Sequence, residues 1–116
     1  MRHPHARLEL KGVIAPVVLP LDRHEEIDES ALRREVRVLL AAGVDAILVN
    51  GTTGEGSMIL PEESRRTCEI VVEEVAGRMP VIAGVTGDST RQAVRLGLLA
   101  REAGASALLV APVHFL

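Results

Sequence analysis

At 116 residues, with 47% hydrophobic and 25% charged side chains, the chain has the composition of a folded unit with a modest core. Phe115 is its one aromatic ring, so the core must be aliphatic, and phenolic acid–base chemistry and aromatic stacking of bases are excluded. A formal net charge of -3 with dispersed basic residues leaves no nucleic-acid footprint, and no apolar run is long enough to span a membrane.

The opening Met1–Arg7 carries Arg2, His3, His5 and Arg7 without the apolar stretch of a signal peptide. We expect residues 1–11 to form a flexible terminal segment and residues 12–116 to form the folded unit. Gly12 to Pro20 (GVIAPVVLP) is a short β-branched apolar run and is predicted as a buried strand, β1, despite Pro16. From Asp28 to Ala42, Leu32, Val36, Leu39 and Leu40 recur at helical spacing with Arg33, Arg34, Glu35 and Arg37 on the other face. This is helix α1, with Asp28 or Ser30 as its cap and Gly43 as its left-handed stop. Val44 to Asn50 is apolar on both faces and too short for a helix, which predicts a buried strand, β2.

The alternation continues. After a loop over Gly51 to Leu60, Pro61 suits the first turn of helix α2, where its missing N–H would be unpaired in any case. Glu62 and Glu63 suit the positive end of that helix dipole. Cys68, Val71, Val72 and Val75 make the buried stripe, and Gly77 ends it. Cys68 is the only cysteine, so it forms no intrachain disulfide and reads as a small core residue, with the cytoplasm as the default compartment. Pro80 to Val85 is strand β3. Ser89 caps helix α3, whose inner face is Ala93, Leu96, Gly97, Ala100 and Ala103 and whose stop is Gly104. Ala107 to Val113 is strand β4. An internal echo supports this register: Ala42–Val49 (AGVDAILV) is similar to Ala103–Val110 (AGASALLV).

Strands alternating with helices imply right-handed βαβ units and a parallel sheet. The order β1-α1-β2-α2-β3-α3-β4 is about half of a (β/α)8 TIM barrel, and a full barrel takes about 250 residues. A flavodoxin-like open sheet is the structural alternative, but it normally has five or more strands. The half-barrel reading predicts an α/β segment of a longer chain.

Chemistry points to Gly51-Thr52-Thr53-Gly54-Glu55-Gly56, directly after β2. Ligands of parallel α/β folds sit at the C-terminal ends of strands. Glycines let backbone N–H groups approach an anion, and two threonine hydroxyls can hold a planar carboxylate in one orientation. The same glycines could instead serve the geometry of a tight turn alone. Glu55 is expected to turn its carboxylate onto backbone donors of the loop, His24 to be solvated, and Asp88 to help Ser89 cap α3.

Gly51–Glu55 after a strand of this kind resembles the hallmark of the dihydrodipicolinate synthase/N-acetylneuraminate lyase family. So do, in order, Asp28–Leu32, Pro61-Glu62-Glu63, Arg78–Gly84, Thr90 and Ala111-Pro112. The resemblance covers nearly the whole chain from Gly12. It implies a (β/α)8 barrel, usually a homotetramer, that condenses or cleaves pyruvate and related 2-oxo acids through a Schiff base to lysine, with no metal or organic cofactor. It places the carboxylate on Thr52 and Thr53, with Gly51 and Gly54 shaping the site, and gives Thr52 a part in a proton relay.

Three departures accompany it. The Schiff-base lysine belongs to a later strand, and the only lysine here is Lys11, expected to be solvated. The relay tyrosines are missing; Asp88 and His114 stand at the corresponding places, and an imidazole at His114 could serve as proton donor. A first-strand threonine is Leu19. The alternative to a lyase is a non-catalytic protein of the same descent that binds small carboxylates or serves assembly.

Overall fold

The computed structural model describes residues 8–112; Met1–Arg7, Val113 and the candidate His114 lie outside them. Residues 8–11 are exposed and carry no helix or strand. The strands are β1 (Ile14–Pro16), β2 (Ala46–Val49), β3 (Val81–Val85) and β4 (Ala107–Val110), and the helices are α1 (Glu29–Ala42), α2 (Pro61–Val75) and α3 (Thr90–Glu102). All pairings are parallel, in the order β1-β2-β3-β4. A sheet in which each strand lies beside its predecessor is singly wound, as in a (β/α) barrel, and lacks the reversal of a flavodoxin-like sheet.

The helices form as their caps direct. Asp28, not Ser30, caps α1 by accepting the Ala31 N–H at 2.9 Å, and Gly43 closes it at φ 77°. Glu63 accepts the Leu60 N–H at 2.8 Å, half of a capping box, while Pro61 opens α2. The stop of α2 is shared, with Ala76 at φ 51° ahead of Gly77 at φ 77°. Ser89 caps α3 through the Gln92 N–H at 3.2 Å. Asp88 adds no side-chain hydrogen bond among the described residues; its backbone N–H donates to Gln92 Oε1 at 2.8 Å.

The core lies between the sheet and the helices. Val17, Ile47, Val49, Val81 and Ala83 meet Leu32 and Val36 of α1, Cys68, Val71 and Val75 of α2, and Ala100 of α3. Ile70 belongs to the same core, and burial pushes the Cys68 thiol up to about 11, so it stays a neutral core group. Glu35 ties α1 to the chain after β1 by accepting the Val18 N–H at 2.9 Å.

The two outer strands differ from expectation. β1 covers three residues rather than Gly12–Pro20, and Val13, Ile14 and Val18 are exposed. The chain there gives β2 its bonds through Val13 O and Val17 N, so the missing Pro16 N–H costs no pairing. β4 covers Ala107–Val110 of the expected Ala107–Val113, and its Leu108, Leu109 and Val110 are exposed. Both strands are sheet edges, each with a neighbour on one side only. The loop between β1 and α1 also holds a one-pair antiparallel bridge, Leu21 with Ile27, closed by Asp22 Oδ1 accepting from His24 and Glu26. Its His24 is exposed, as expected.

Candidate functional site

The C-terminal ends of β2, β3 and β4 converge on a cavity of about 170 Å³ lined by Gly51, Thr52, Ser57, Thr86 and Ala111. Three of these five residues, Thr52, Ser57 and Thr86, bear hydroxyl groups. Thr52 comes from the loop after β2, Thr86 follows β3 directly, and Ser57 lies in a 3-10 turn over Gly56–Met58.

The loop is built by its own backbone. Gly51 O accepts from Gly56 N at 3.1 Å and Thr52 O from Glu55 N at 3.1 Å, which folds Thr52 and Thr53 onto the outside of a tight turn. Close packing dictates two glycine positions, one in the loop and one in β3. A Cβ on Gly56 would fall 2.0 Å from Asn50 O, and one on Gly84 of β3 would fall 2.2 Å from the same oxygen. The Asn50 carbonyl is therefore wedged between the turn and the next strand, and no side chain fits on either side.

Of the residues proposed from sequence, Gly51 and Thr52 line the cavity. Thr53 is exposed beside them, and Gly54 is buried, packed against Val17 O and Asn50 N. Glu55 departs from expectation: it is exposed, and its carboxylate makes no hydrogen bond among the described residues. Its contribution is conformational, a left-handed φ of 52° with its carbonyl accepting from Met58 N at 2.8 Å. Asp88 is exposed and lines, with Gln92 and Arg95, a hollow of about 290 Å³ that shares Ser57 and Thr86 with the cavity. Leu19 packs partly buried against the core. Lys11 is exposed, with Glu9 as its ion-pair partner at 3.8 Å, far from the behaviour of a buried nucleophile.

Thr86 and Ser57 were missed from sequence. The signal for Thr86 was its place immediately after a strand, the position that already singled out Gly51; Ser57 had none, because it reaches the cavity through a short turn that apolar periodicity does not reveal. Among the described residues no group of three His, Cys, Asp or Glu side chains could hold a metal ion, and no helix is long and apolar enough to cross a membrane.

A singly wound parallel sheet with a glycine–threonine loop at its strand ends defines the ligand-binding side of a (β/α) barrel. The sequence profile of the dihydrodipicolinate synthetase family matches residues 9–115, and the chain belongs to that family, whose members are aldolase-type lyases. It is 39% identical over 108 residues to the 4-hydroxy-tetrahydrodipicolinate synthase of Methanothermobacter thermautotrophicus, covering 93% of this chain and 38% of that one. With the synthase of Methanopyrus kandleri it shares 45% over 102 residues, 87% of this chain and 34% of the relative. The crystal structure of dihydrodipicolinate synthase from Aquifex aeolicus superposes with a TM-score of 0.86 at 38% identity, over 91% of this chain and 36% of that one. The described fold is thus the N-terminal part of the family's (β/α)8 barrel. The chain spans little more than a third of the length of these relatives.

Proposed function

We propose that these residues supply the carboxylate-binding side of a Schiff-base aldolase-type lyase acting on pyruvate or a related 2-oxo acid. The observation that carries the reading is the cavity of about 170 Å³ at three strand ends, whose wall holds Thr52 of the Gly-Thr-Thr-Gly loop. That volume equals roughly five or six waters of liquid, the scale of a six-heavy-atom 2-oxo acid. Thr52 and Thr53 hold the carboxylate and Gly51 and Gly54 shape the turn. The ketone carbon is thereby oriented for attack by an amine, which forms an iminium with loss of water.

The amine comes from a lysine outside these residues, since Lys11 lies at the far, solvated end of β1. His114 takes the proton-donor role for which the chain has no tyrosine. The complete protein works in the cytoplasm as a homo-oligomer, a tetramer by family resemblance, without a metal or organic cofactor.

A Thr52→Val/Thr53→Val variant of the full-length protein tests the reading. Both substitutions keep the branched shape and remove two hydroxyls. Each lost bond to a charged group costs about 1.5–3 kcal/mol, so pyruvate affinity measured by calorimetry should fall at least tenfold with the fold intact. Unchanged affinity would end the assignment.

A further inference from the structure

We propose that Asn50 is a positioning residue for the threonine loop, its buried carboxamide tying the turn that presents Thr52 to the first turn of α2. The inference rests on the reading of that loop as the carboxylate site. Three features of Asn50 set it apart. It is 3% exposed, one of two buried polar residues among those described. Its backbone stands at φ 58°, a left-handed conformation uncommon without glycine but several-fold enriched in asparagine. Its Nδ2 donates to both Ser64 O at 2.9 Å and Ser64 Oγ at 3.0 Å, fourteen residues further along the chain.

These features act together. The left-handed step ends β2 and sends the chain across the strand ends, so the direction of Gly51 and Thr52 follows from the Asn50 backbone. The Asn50 carbonyl is held between Gly56 and Gly84, which fixes the peptide from two sides. The carboxamide supplies the third constraint by spending both donors on α2. Burying an amide is costly unless it is bonded, and Oδ1 has no partner among the described residues, so the fork to Ser64 offsets that cost. A glycine at this position would satisfy the backbone as well and would leave the turn untied. The side chain therefore contributes a link between loop and helix that the backbone conformation does not require.

The test uses the full-length protein and three variants. Asn50→Gly keeps the left-handed backbone and removes both donors. Asn50→Asp keeps the shape and lacks the donors. Ser64→Ala removes only the hydroxyl acceptor. At a temperature where circular dichroism shows each variant fully folded, the pyruvate Kd from calorimetry should rise about tenfold for both Asn50 variants, and about two- to threefold for Ser64→Ala. Amide hydrogen exchange of ligand-free protein should accelerate at Thr52 and Thr53 and stay unchanged along β2 and β3. A merely structural role would accelerate exchange uniformly through both strands, or leave affinity and loop exchange at wild-type values in folded Asn50→Gly; either result overturns the proposal. Should Asn50→Asp fail to fold, Asn50→Gly and Ser64→Ala decide. If the wild-type protein itself does not bind pyruvate, the carboxylate reading falls, while the exchange comparison still decides the role of Asn50.

Discussion

Gly84 and Gly51 stand on either side of the same turn, yet substitution should affect them very differently. A Cβ on Gly84 would meet backbone, Asn50 O at 2.2 Å and Gly51 N at 2.9 Å, and backbone at the end of two paired strands cannot withdraw. A Cβ on Gly51 would meet only the Leu48 side chain, at 3.1 Å, which can change rotamer. Gly84→Ala should therefore destabilise by about 1–3 kcal/mol, as overpacking does, whereas Gly51→Ala should cost well under half as much. Denaturant titration of the two variants checks this, and equal costs would show that the strand ends yield more easily than their packing implies. The contrast also bounds what a motif reveals. The sequence marked Gly51–Gly56 as a unit because glycines and threonines cluster after a strand. Which glycine faces the cavity and which packs against Asn50 depends on β3, far along the chain, and no local spacing encodes that.

Between helices, the surface of α1 and α2 carries a linked set of ion pairs. Arg66 bonds Glu29 at 2.7 and 3.0 Å, Arg33 bonds Glu73 at 2.7 Å and Glu74 at 3.3 Å, and Arg37 also reaches Glu74. The hydrogen bond from Arg66 holds the Glu29 carboxyl below its ordinary value of 4.5; those from Arg33 and Arg37 do the same for Glu73 and Glu74 respectively. With folded values below unfolded ones, the unfolded chain binds more protons in the interval between them. The stabilisation is thus fully present above the unfolded value and is lost as pH falls through the folded ones. The melting temperature should drop on acidification from pH 6 to pH 3, and a Glu29→Gln/Glu74→Gln variant should show a shallower drop. High salt should narrow the difference, because the pairs are partly solvated. Parallel acid profiles for the two proteins would remove these pairs from the account. The helices themselves were legible in the sequence: apolar spacing, Asp28, Ser89, Pro61 and the glycine stops gave their existence and nearly their ends. Their ion pairs were not, because Arg33 and Glu73 are separated by 40 positions and meet only once the sheet has set α1 beside α2.

At the scale of the fold, the half-barrel topology leaves apolar surface on the two edge strands without cover. On the helix side of β4, a groove of about 570 Å³ runs along α3, lined by Val94, Gly97, Leu98, Leu108 and Val110. On the opposite side of the sheet, the register sets Ile14 beside Ala46, Leu48 beside Ile82 and Gly84 beside Leu109; Ala46, Ile82 and Gly84 are buried, while Ile14 and Leu109 on the two edge strands are exposed. The sequence predicted burial for β1 from its composition, and the exposure of Val13 and Ile14 follows from its place at the edge of the sheet, which composition does not contain. Parallel strands are stable when covered on both faces, and open apolar edges recruit other chains. Residues 1–116 produced alone should therefore elute as oligomer or aggregate in size-exclusion chromatography and melt over a broad range. Charged substitutions on the open edges, Val13→Lys with Leu109→Lys, should raise the monomer fraction, because inward- or edge-pointing lysine opposes strand addition. A monodisperse monomer with a sharp, reversible transition would show instead that these four strands and three helices are self-sufficient, and the uncovered surface would then have no bearing on assembly.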